Sequence, residues 1–324
     1  PDLNINHHVP PTPPRPHQTQ PRHLLRHPLP HPPRKLRPRQ NHRRHRRRHR
    51  HRRRDRARFF AAAGASRILL MGRRPDPLLA TKASIEAAHP GAEVVATPAD
   101  VTDKAQVDAA FSDFVGDDGD KKIDVLISNA AAMGPLEGID DVDPTAFLAG
   151  VQTNVGSALL VAQAFLRHAA ADAVAVNVSS NAAHVNFARA FVSYSVGKLA
   201  AYRVWDTVAF AHPEMRVYHV QPGIVDTDMN RSAGGVKALG YEDHANNLSL
   251  SVSLPAGFML WLASPEAAFL KGKFLWSNWD VDELKTRASE IEASQEFNIQ
   301  VVGWPFGGPA EVTMASDAAD HWKN

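Results

Sequence analysis

Short apolar runs alternate with segments of helical spacing from residue 59 to residue 276. The runs have the length and composition of strands that are buried on both faces. The predicted strands are Arg67–Gly72, Glu93–Thr97, Lys122–Ser128, Ala173–Ser179, Met215–Gln221 and Phe274–Trp276. The predicted helices are Pro77–Ala88, Lys104–Val115, Phe147–His168, Ser193–His212 and Ala256–Leu262. Strands separated by such helices predict an α/β fold, a doubly wound parallel sheet in a single domain.

The first 58 residues differ in composition from the rest of the chain. They hold 18 Lys and Arg against 2 acidic residues, a net charge of +16, whereas the remainder carries −13. They also contain 12 of the 24 prolines and almost nothing apolar after Leu36. Such a segment cannot compensate the entropy of folding. We therefore expect residues 1–58 to be disordered as written and residues 59–324 to form the domain.

Composition excludes several classes of protein. The chain has no cysteine, which excludes disulfides, zinc–thiolate sites and thiol nucleophiles, and we expect no metal site. No stretch approaches the roughly 18 consecutive apolar residues of a membrane-spanning helix, and the first residues lack the apolar region of a signal peptide. From these features we expect a cytoplasmic protein that does not enter a membrane.

Candidate ligand-binding residues follow the predicted strands. In doubly wound sheets the ligand crevice lies outside the carboxyl ends of the strands. The residues at these ends are Arg73-Arg74, Asp100-Val101, Asn129-Ala130, Ser179-Ser180 and Pro222-Gly223. This edge of the sheet is therefore the predicted site.

Tyr194 and Lys198 are four residues apart at the start of a predicted helix. This spacing puts the phenol and the ammonium on one face, where the cation should lower the pKa of Tyr194 toward the range of a general acid/base. Ser180 ends a buried strand, and its hydroxyl could hydrogen-bond a substrate oxygen. Taken alone, a Tyr and a Lys at this spacing are more often ordinary surface residues of a helix.

Six ordered landmarks resemble the short-chain dehydrogenase/reductase family over most of residues 59–280. They are Tyr194 and Lys198 of the YxxxK motif, Ser180, Asn154, Ser128-Asn129-Ala130-Ala131, Asp100-Val101, and Pro222-Gly223-Ile224-Val225-Asp226-Thr227. The segment Ser128-Asn129-Ala130-Ala131 keeps two of the four residues of the family's Asn-Asn-Ala-Gly. The resemblance implies a Rossmann fold and an NAD(P)-dependent oxidoreductase that interconverts a small-molecule carbonyl and a secondary alcohol by hydride transfer.

The resemblance also implies a role for each matched residue. Tyr194 would exchange the proton with the substrate oxygen, and Ser180 would polarise that oxygen. Lys198 would hold the nicotinamide ribose, and Asn154 would support Lys198 through a water. The cofactor would contact Arg73, Asp100, Val101, Asn129, Ala130, Tyr194, Lys198, Pro222, Gly223, Ile224 and Thr227. Ser179 is the alternative to Ser180, but neighbouring strand residues face opposite sides, which favours Ser180.

The choice of cofactor depends on the residues after the strand Arg67–Gly72. NAD-selective sites place an acid there for the ribose hydroxyls, whereas arginine accommodates a 2′-phosphate. Arg73 and Arg74 therefore favour NADP over NAD. An ordinary solvated basic turn is the alternative interpretation, and the nearby Asp76 leaves NAD open.

The family's first strand and glycine loop, TGxxxGxG, are not present as written. The Arg- and His-rich run Arg39–Arg56 stands in their place. The same nucleotides read one base later permit GKTIVVTGGGTGIGAATA. His45 then becomes the Thr before the first Gly and His51 the Ile between the last two, placements constrained because His before a C-starting codon yields only Thr or Ile. The hypothesis is that residues up to about 57 are an out-of-frame translation.

Two other interpretations of the basic run stay open. It could be a nucleic-acid-binding arm, although it lacks interleaved aromatic residues and coincides with a missing essential element. The chain could also be an inactive relative that keeps the catalytic residues without a loop for the pyrophosphate. We expect no nucleic-acid partner.

The substrate side is less defined by the sequence. The irregular stretch between Thr227 and Pro255 has the length of a substrate lid, as in the family. Asp228, Met229, His184 and Phe187 are candidate pocket residues, although each is more often simply surface or core. The family is commonly oligomeric through the helices Phe147–His168 and Ser193–His212, so we expect a homo-oligomer through these long helices.

Overall fold

Every strand pairing among the described residues is parallel. The computed structural model describes residues 55–116, 121–186, 188–225, 227, 229, 231, 249–250 and 252–300. The strands are β1 (Arg67–Gly72), β2 (Glu93–Pro98), β3 (Ile123–Ser128), β4 (Ala169–Val178), β5 (Arg216–Gln221), β6 (Ile224–Val225), β7 (Ser249–Leu250) and β8 (Phe274–Trp276). The helices are α1 (Asp55–Ala62), α2 (Pro75–Ala88), α3 (Lys104–Val115), α4 (Pro144–His168), α5 (Val192–Ala211), α6 (Ser253–Ala263), α7 (Val281–Thr286) and α8 (Ala288–Ala293).

Residues Ala173–Val178 of β4 are buried, which is why this stretch is largely apolar without alternation. Ala173 and Ala175 belong to a core cluster with α3, α4 and α5. Val174, Val176 and Val178 belong to a second cluster, on the other face, with α6, α7 and α8. Helices therefore cover both faces of the sheet, as the α/β doubly wound prediction requires.

The strands form two main sheets rather than one. One has the order β1-β2, the other has the order β3-β4-β5-β8, and β6 pairs separately with β7. In the described residues, no ladder joins β1 to β3. Every residue of β1 and all of β3 after Ile123 keep some exposure, whereas Ala173–Val178 of β4 are buried throughout. Strands β1 and β3 are thus less buried than the central part of β4.

Helix α1 begins at Asp55, four residues before the predicted start of the domain at residue 59. Its residues Ala57 and Ala61 pack with Ile85 of α2 and Val94 of β2. The start of α1 was not predicted because the sequence Asp55–Arg58 resembles a continuation of the arginine-rich run. The apolar contacts of the short alanine side chains are visible only once α2 and β2 are in place.

Most predicted elements agree with the structure to within a few residues. The predictions for β1, α3 and β8 have the observed bounds. Helix α4 begins at Pro144 instead of Phe147, because Asp143 caps it and accepts a hydrogen bond from the Ala146 amide at 2.8 Å. The elements that the pattern missed are α1, which has eight residues, and the shorter β6, β7, α7 and α8, which span six residues or fewer.

Among the described helices, α4 is the one whose length and apolar composition alone would allow it to cross a bilayer. It packs against α3 and α5 and carries the buried polar residues Asn154 and Ser157. These features are those of a core helix.

His219, in the middle of β5, is a fully buried titratable group. Asn177 of β4 donates a side-chain hydrogen bond to its Nδ1 at 3.2 Å, and the Tyr202 ring lies 4.3 Å from it between centroids. Burial lowers the pKa of the His219 imidazole from 6.5 to about 3. The folded protein therefore holds this imidazole neutral at pH values where the unfolded chain would protonate it.

We expect this histidine to make the fold acid-sensitive. Between pH 6.5 and about pH 3 the unfolded chain binds a proton that the folded one does not. The free energy of unfolding should therefore fall by about 1.4 kcal/mol for each unit by which the pH is lowered in this range. His219→Gln keeps an acceptor for Asn177 and does not titrate, so this part of the pH dependence should be lost. Denaturant unfolding of both proteins at a series of pH values measures it. Equal slopes would contradict a buried neutral imidazole.

Candidate active site

The carboxyl ends of the parallel strands bring the predicted site residues to one edge of the structure. Ser179 and Ser180 follow β4, and Pro222 follows β5, the strand paired with β4. The backbone ladder continues there, because the Ser179 amide donates to the Val220 carbonyl at 2.8 Å. Asn129 follows β3 on the other side of β4. The fold thus places side chains from distant parts of the sequence at this edge.

Ser180 and Tyr194 lie next to each other across this edge. The Ser180 hydroxyl lies near enough to the Tyr194 phenol to lower its pKa, and Ser180 is 8% exposed. The other candidate, Ser179, is buried, and its hydroxyl has no hydrogen-bond partner among the described residues. The geometry therefore favours Ser180 over Ser179 as the hydroxyl that acts with the phenol.

Lys198 lies behind Tyr194 on α5. Its side chain is buried, and its ammonium donates to the Val178 carbonyl at the end of β4, at 2.9 Å. The same nitrogen lies 5.8 Å from the centroid of the Tyr194 ring. The i, i+4 spacing thus produces the expected proximity of the cation and the ring.

The predicted lowering of the Tyr194 pKa is wrong for this structure. Burial is the largest effect and raises the pKa of the Tyr194 phenol, while the hydrogen bond with Ser180 lowers it to a smaller extent. The helical spacing of Tyr194 and Lys198 does not reveal that the phenol is half-buried. It also does not reveal that the ammonium is directed to a backbone carbonyl.

Asn154 is buried in α4 and holds the segment that follows β3. Its side-chain oxygen accepts from the Ala132 amide at 3.0 Å, and its side-chain nitrogen donates to the Ala132 carbonyl at 2.9 Å. A Cβ built on Gly197 of α5 would lie 3.1 Å from this side-chain nitrogen. Asn154 therefore lies at the crossing of α4 and α5. It faces Gly197 of α5, the residue directly before Lys198.

The two helices approach closely because small residues line their contact. Ser193 at the start of α5 donates to the Phe147 carbonyl of α4 at 2.8 Å. A Cβ on Gly150 would overlap the Ser193 hydroxyl and lie 3.2 Å from the Gly134 backbone. The position of Tyr194, adjacent to Ser193, thus depends on the absence of a side chain at Gly150.

The residues predicted for the cofactor's adenosine end lie beside β1 and β2. The Ala99 amide donates to the Gly72 carbonyl at 3.1 Å, which ties the two strand ends together. Hydrogen bonds from Thr102 hold the pKa of the Asp100 carboxyl below its usual value, with a smaller contribution from the Arg73 guanidinium. Arg73 and Asp100 are therefore electrostatic neighbours, and Val101 packs partly against the core beside them.

The remaining predicted cofactor contacts lie after β3 and β5. Asn129 and Ala130 are exposed. Gly223 has φ +77°, a conformation that side chains rarely adopt, and turns the chain between β5 and β6. Ile224 begins β6, and the Thr227 carbonyl accepts from the Arg231 amide at 2.9 Å.

The predicted pocket residues are only partly within the described chain. Asp228 and Phe187 lie outside the described residues, as does most of the predicted lid, residues 232–248. The His184 ring is directed at the rings of Phe274 and Trp276, with centroid distances of 4.5 and 5.9 Å. His184 therefore packs onto β8 instead of standing isolated in a pocket.

Two side chains beside Ser180, those of Asn181 and Gln221, were not among the predicted site residues. Asn181 accepts hydrogen bonds from Ser180 and from Gln221, the last residue of β5. Phe191, whose backbone is left-handed (φ 67°) directly before α5, was not predicted either. No motif marks these residues, although their place after a strand or beside Ser180 and Tyr194 was a signal that could have been used.

Comparison with known proteins decides the family. The family model described as short chain dehydrogenase matches residues 54–235. The chain belongs to the short-chain dehydrogenase/reductase family.

Similar family members come from fungi and bacteria. The chain is 32% identical over 240 residues to the short chain dehydrogenase/reductase AacuD of Aspergillus aculeatus, covering 74% of this chain and 80% of that protein. A short chain dehydrogenase/reductase of Claviceps purpurea is 30% identical over 245 residues, covering 74% and 79%. The solved short-chain dehydrogenase/reductase of Serratia marcescens has a TM-score of 0.60 at 26% identity, covering 68% of this chain and 89% of that one. The chain is therefore an oxidoreductase of the Rossmann type.

We expect Gly150→Ala to destabilise the protein. The new methyl group would displace Ser193 and the start of α5, at a cost of about 1–3 kcal/mol in the free energy of unfolding. Gly156→Ala is the matched control, because it lies in the same helix and has no atom within 4 Å of the built Cβ. It should stabilise the helix by about 0.5–1 kcal/mol. Denaturant unfolding measures both, and equal effects would contradict the close crossing.

Proposed function

We propose that the protein reduces a carbonyl compound, or oxidises the corresponding secondary alcohol, with NADP as the preferred cofactor. The observation that carries this proposal is the contact between Ser180 and Tyr194 at the carboxyl edge of the sheet, with Lys198 buried behind the phenol. A hydroxyl and a phenol that converge on one point can together bind and protonate a single oxygen atom.

The residues divide the work at the substrate oxygen. On reduction, the Tyr194 phenol donates its proton to the carbonyl oxygen, and the Ser180 hydroxyl stabilises the charge that develops there. The Lys198 ammonium offsets the negative charge left on Tyr194. Asn154 fixes the segment at Ala132 against α4. A bound nicotinamide cofactor supplies the hydride in this direction and accepts it in the other.

The described residues fit two ends of a dinucleotide. Arg73 lies beside Asp100 at the end expected for adenosine, where its cation suits a 2′-phosphate. Lys198 lies at the end expected for the nicotinamide ribose. The glycine loop that would hold the pyrophosphate is not in the present sequence, and the run that replaces it lies outside the described residues, save for its last two residues.

We propose that the missing loop and first strand were lost to a one-base shift in reading frame. Two observations support this. The family match begins at residue 54, after most of the arginine-rich run. The strands are divided into the sheets β1-β2 and β3-β4-β5-β8, with no ladder between β1 and β3 in the described residues. The shifted reading GKTIVVTGGGTGIGAATA would supply an apolar strand for that position and a glycine loop directly before α1.

The exposed apolar residues of α4 and α5 support the proposed self-association. Leu148 and Leu159 on α4 are 62% and 46% exposed, and Phe210 on α5 is 88% exposed. Burial of such side chains against a second copy of the chain would remove them from water.

Tyr194→Phe should reduce turnover of ketones at least about a hundredfold, because it removes the proton donor. The affinity for the cofactor should change little. Tyr202→Phe, on the same helix two turns later, is the control and should keep turnover. Steady-state rates with a panel of ketones and secondary alcohols and both nicotinamide cofactors give the comparison, in the protein whose residues 39–56 are replaced by the shifted reading GKTIVVTGGGTGIGAATA. Retained turnover in Tyr194→Phe would refute the mechanism.

Replacing residues 39–56 with the shifted reading should restore cofactor binding. We expect NADPH to bind the repaired protein at least about tenfold more tightly than the present chain, since backbone amides of a glycine loop hold phosphate. NADH should bind more weakly than NADPH. Fluorescence titration of both proteins measures this. The hypothesis fails if the shifted frame of the gene lacks the glycine motif, and unchanged binding would indicate an inactive relative.

A further inference from the structure

Ser180 is part of a hydrogen-bonded chain that extends away from Tyr194. The Ser180 hydroxyl donates to Oδ1 of Asn181 at 3.2 Å, and the Gln221 side-chain amide donates to the same oxygen at 3.3 Å. The Ala182 amide donates to the Ser180 oxygen at 3.2 Å. The Ser180 hydroxyl is thus held on one side by a backbone amide and on the other by a side-chain oxygen.

Gln221 gives this arrangement its rigidity. It is 6% exposed and ends β5, where its carbonyl accepts from the Ser277 amide at 3.0 Å. A buried side-chain amide needs a hydrogen-bond partner, and Asn181 supplies it. Because Gln221 is fixed in the sheet, Oδ1 of Asn181 is directed toward both donors.

A serine hydroxyl has only one hydrogen to donate. While Asn181 accepts that hydrogen, Ser180 can accept a hydrogen bond from the Tyr194 phenol but cannot donate one to a phenolate or a substrate oxygen. The proposed reaction needs Ser180 to donate its hydrogen when negative charge develops on the substrate oxygen or on the Tyr194 oxygen. The competing acceptor, Oδ1 of Asn181, therefore changes the free energy of placing negative charge on either oxygen.

We propose that Asn181, held by Gln221, is a positioning residue that controls which oxygen receives the Ser180 hydrogen. The proposal rests on the proposed function, in which Ser180 and Tyr194 act on one substrate oxygen. Asn181 touches neither reacting atom and acts through Ser180. In the resting protein it withholds the hydrogen, and a substrate carbonyl or a phenolate must displace it.

The ionisation of Tyr194 reports this competition without any cofactor. The chain has four tyrosines, so the ultraviolet absorbance of phenolate in each variant minus that of the same variant with Tyr194→Phe isolates Tyr194. Asn181→Ala releases the Ser180 hydrogen to the phenolate, so the pKa of Tyr194 should fall by about one pH unit. Asn181→Asp strengthens the competing acceptor and adds a negative charge, so the pKa should rise. Lys198, the cation beside the ring, is unchanged in both.

Three further variants separate positioning from general structural damage. Ser179→Ala removes the neighbouring hydroxyl, which has no hydrogen-bond partner among the described residues, and should leave the Tyr194 titration unchanged. Gln221→Met should lower the pKa of Tyr194 less than Asn181→Ala does, because it only loosens Asn181. In a Ser180→Ala background, Asn181→Ala should have no effect, since no hydroxyl remains to redirect.

The titration and the turnover assay distinguish failure of this proposal from failure of the proposed function. Equal titration in the parent, Asn181→Ala and Asn181→Asp would overturn the positioning role even if Tyr194→Phe abolishes turnover. A shift by Asn181→Ala that persists in the Ser180→Ala background would also overturn it. The predicted opposite shifts would support it even if Tyr194→Phe retained turnover, an outcome that would refute the proposed function alone.

Discussion

The hydrogen bond from Lys198 to the Val178 carbonyl joins the two elements on which the site depends. A buried ammonium must find an acceptor, and the last carbonyl of β4 provides one at 2.9 Å. The bond fixes α5 against the end of the central strand, so Tyr194 of the helix faces Ser180 of the strand end. Loss of this bond would leave a buried charge without that acceptor and release the two sides of the site from each other.

The hydrogen bond between Lys198 and Val178 forms beside the close crossing of α4 and α5. Gly150, Ser193 and Gly197 occupy the contact, and Asn154 passes through it to the backbone at Ala132. Small residues let the helices approach, and Asn154 satisfies the polar backbone that the approach would otherwise bury. Packing and chemistry are therefore coupled in this part of the protein, because the same helices form the core and carry the site residues.

The sequence predicted the bounds of an element well wherever its apolar pattern is strong. Strands β1 and β8 and helix α3 have apolar patterns strong enough to give their bounds, and Asp143 followed by proline was a usable signal for the start of α4. The two-residue strands β6 and β7 are too short to show a period. The prediction placed Lys198 near the Tyr194 ring, as the structure does, but gave the wrong direction of the pKa shift, because burial depends on elements distant in sequence. Asn181 and Gln221 meet only after β4 and β5 pair.

The divided sheet has a consequence for cooperativity. Strands β1 and β2 with α1 and α2 form their own apolar cluster, and the β3-β4-β5-β8 sheet is covered by two others. No backbone ladder connects these parts in the described residues, so side-chain packing, including that of Met71 and Val101 on the α3–α5 cluster, must transmit stability between them. We expect regions joined in this way to open as separate units. Amide hydrogen exchange should then show two levels of protection instead of one.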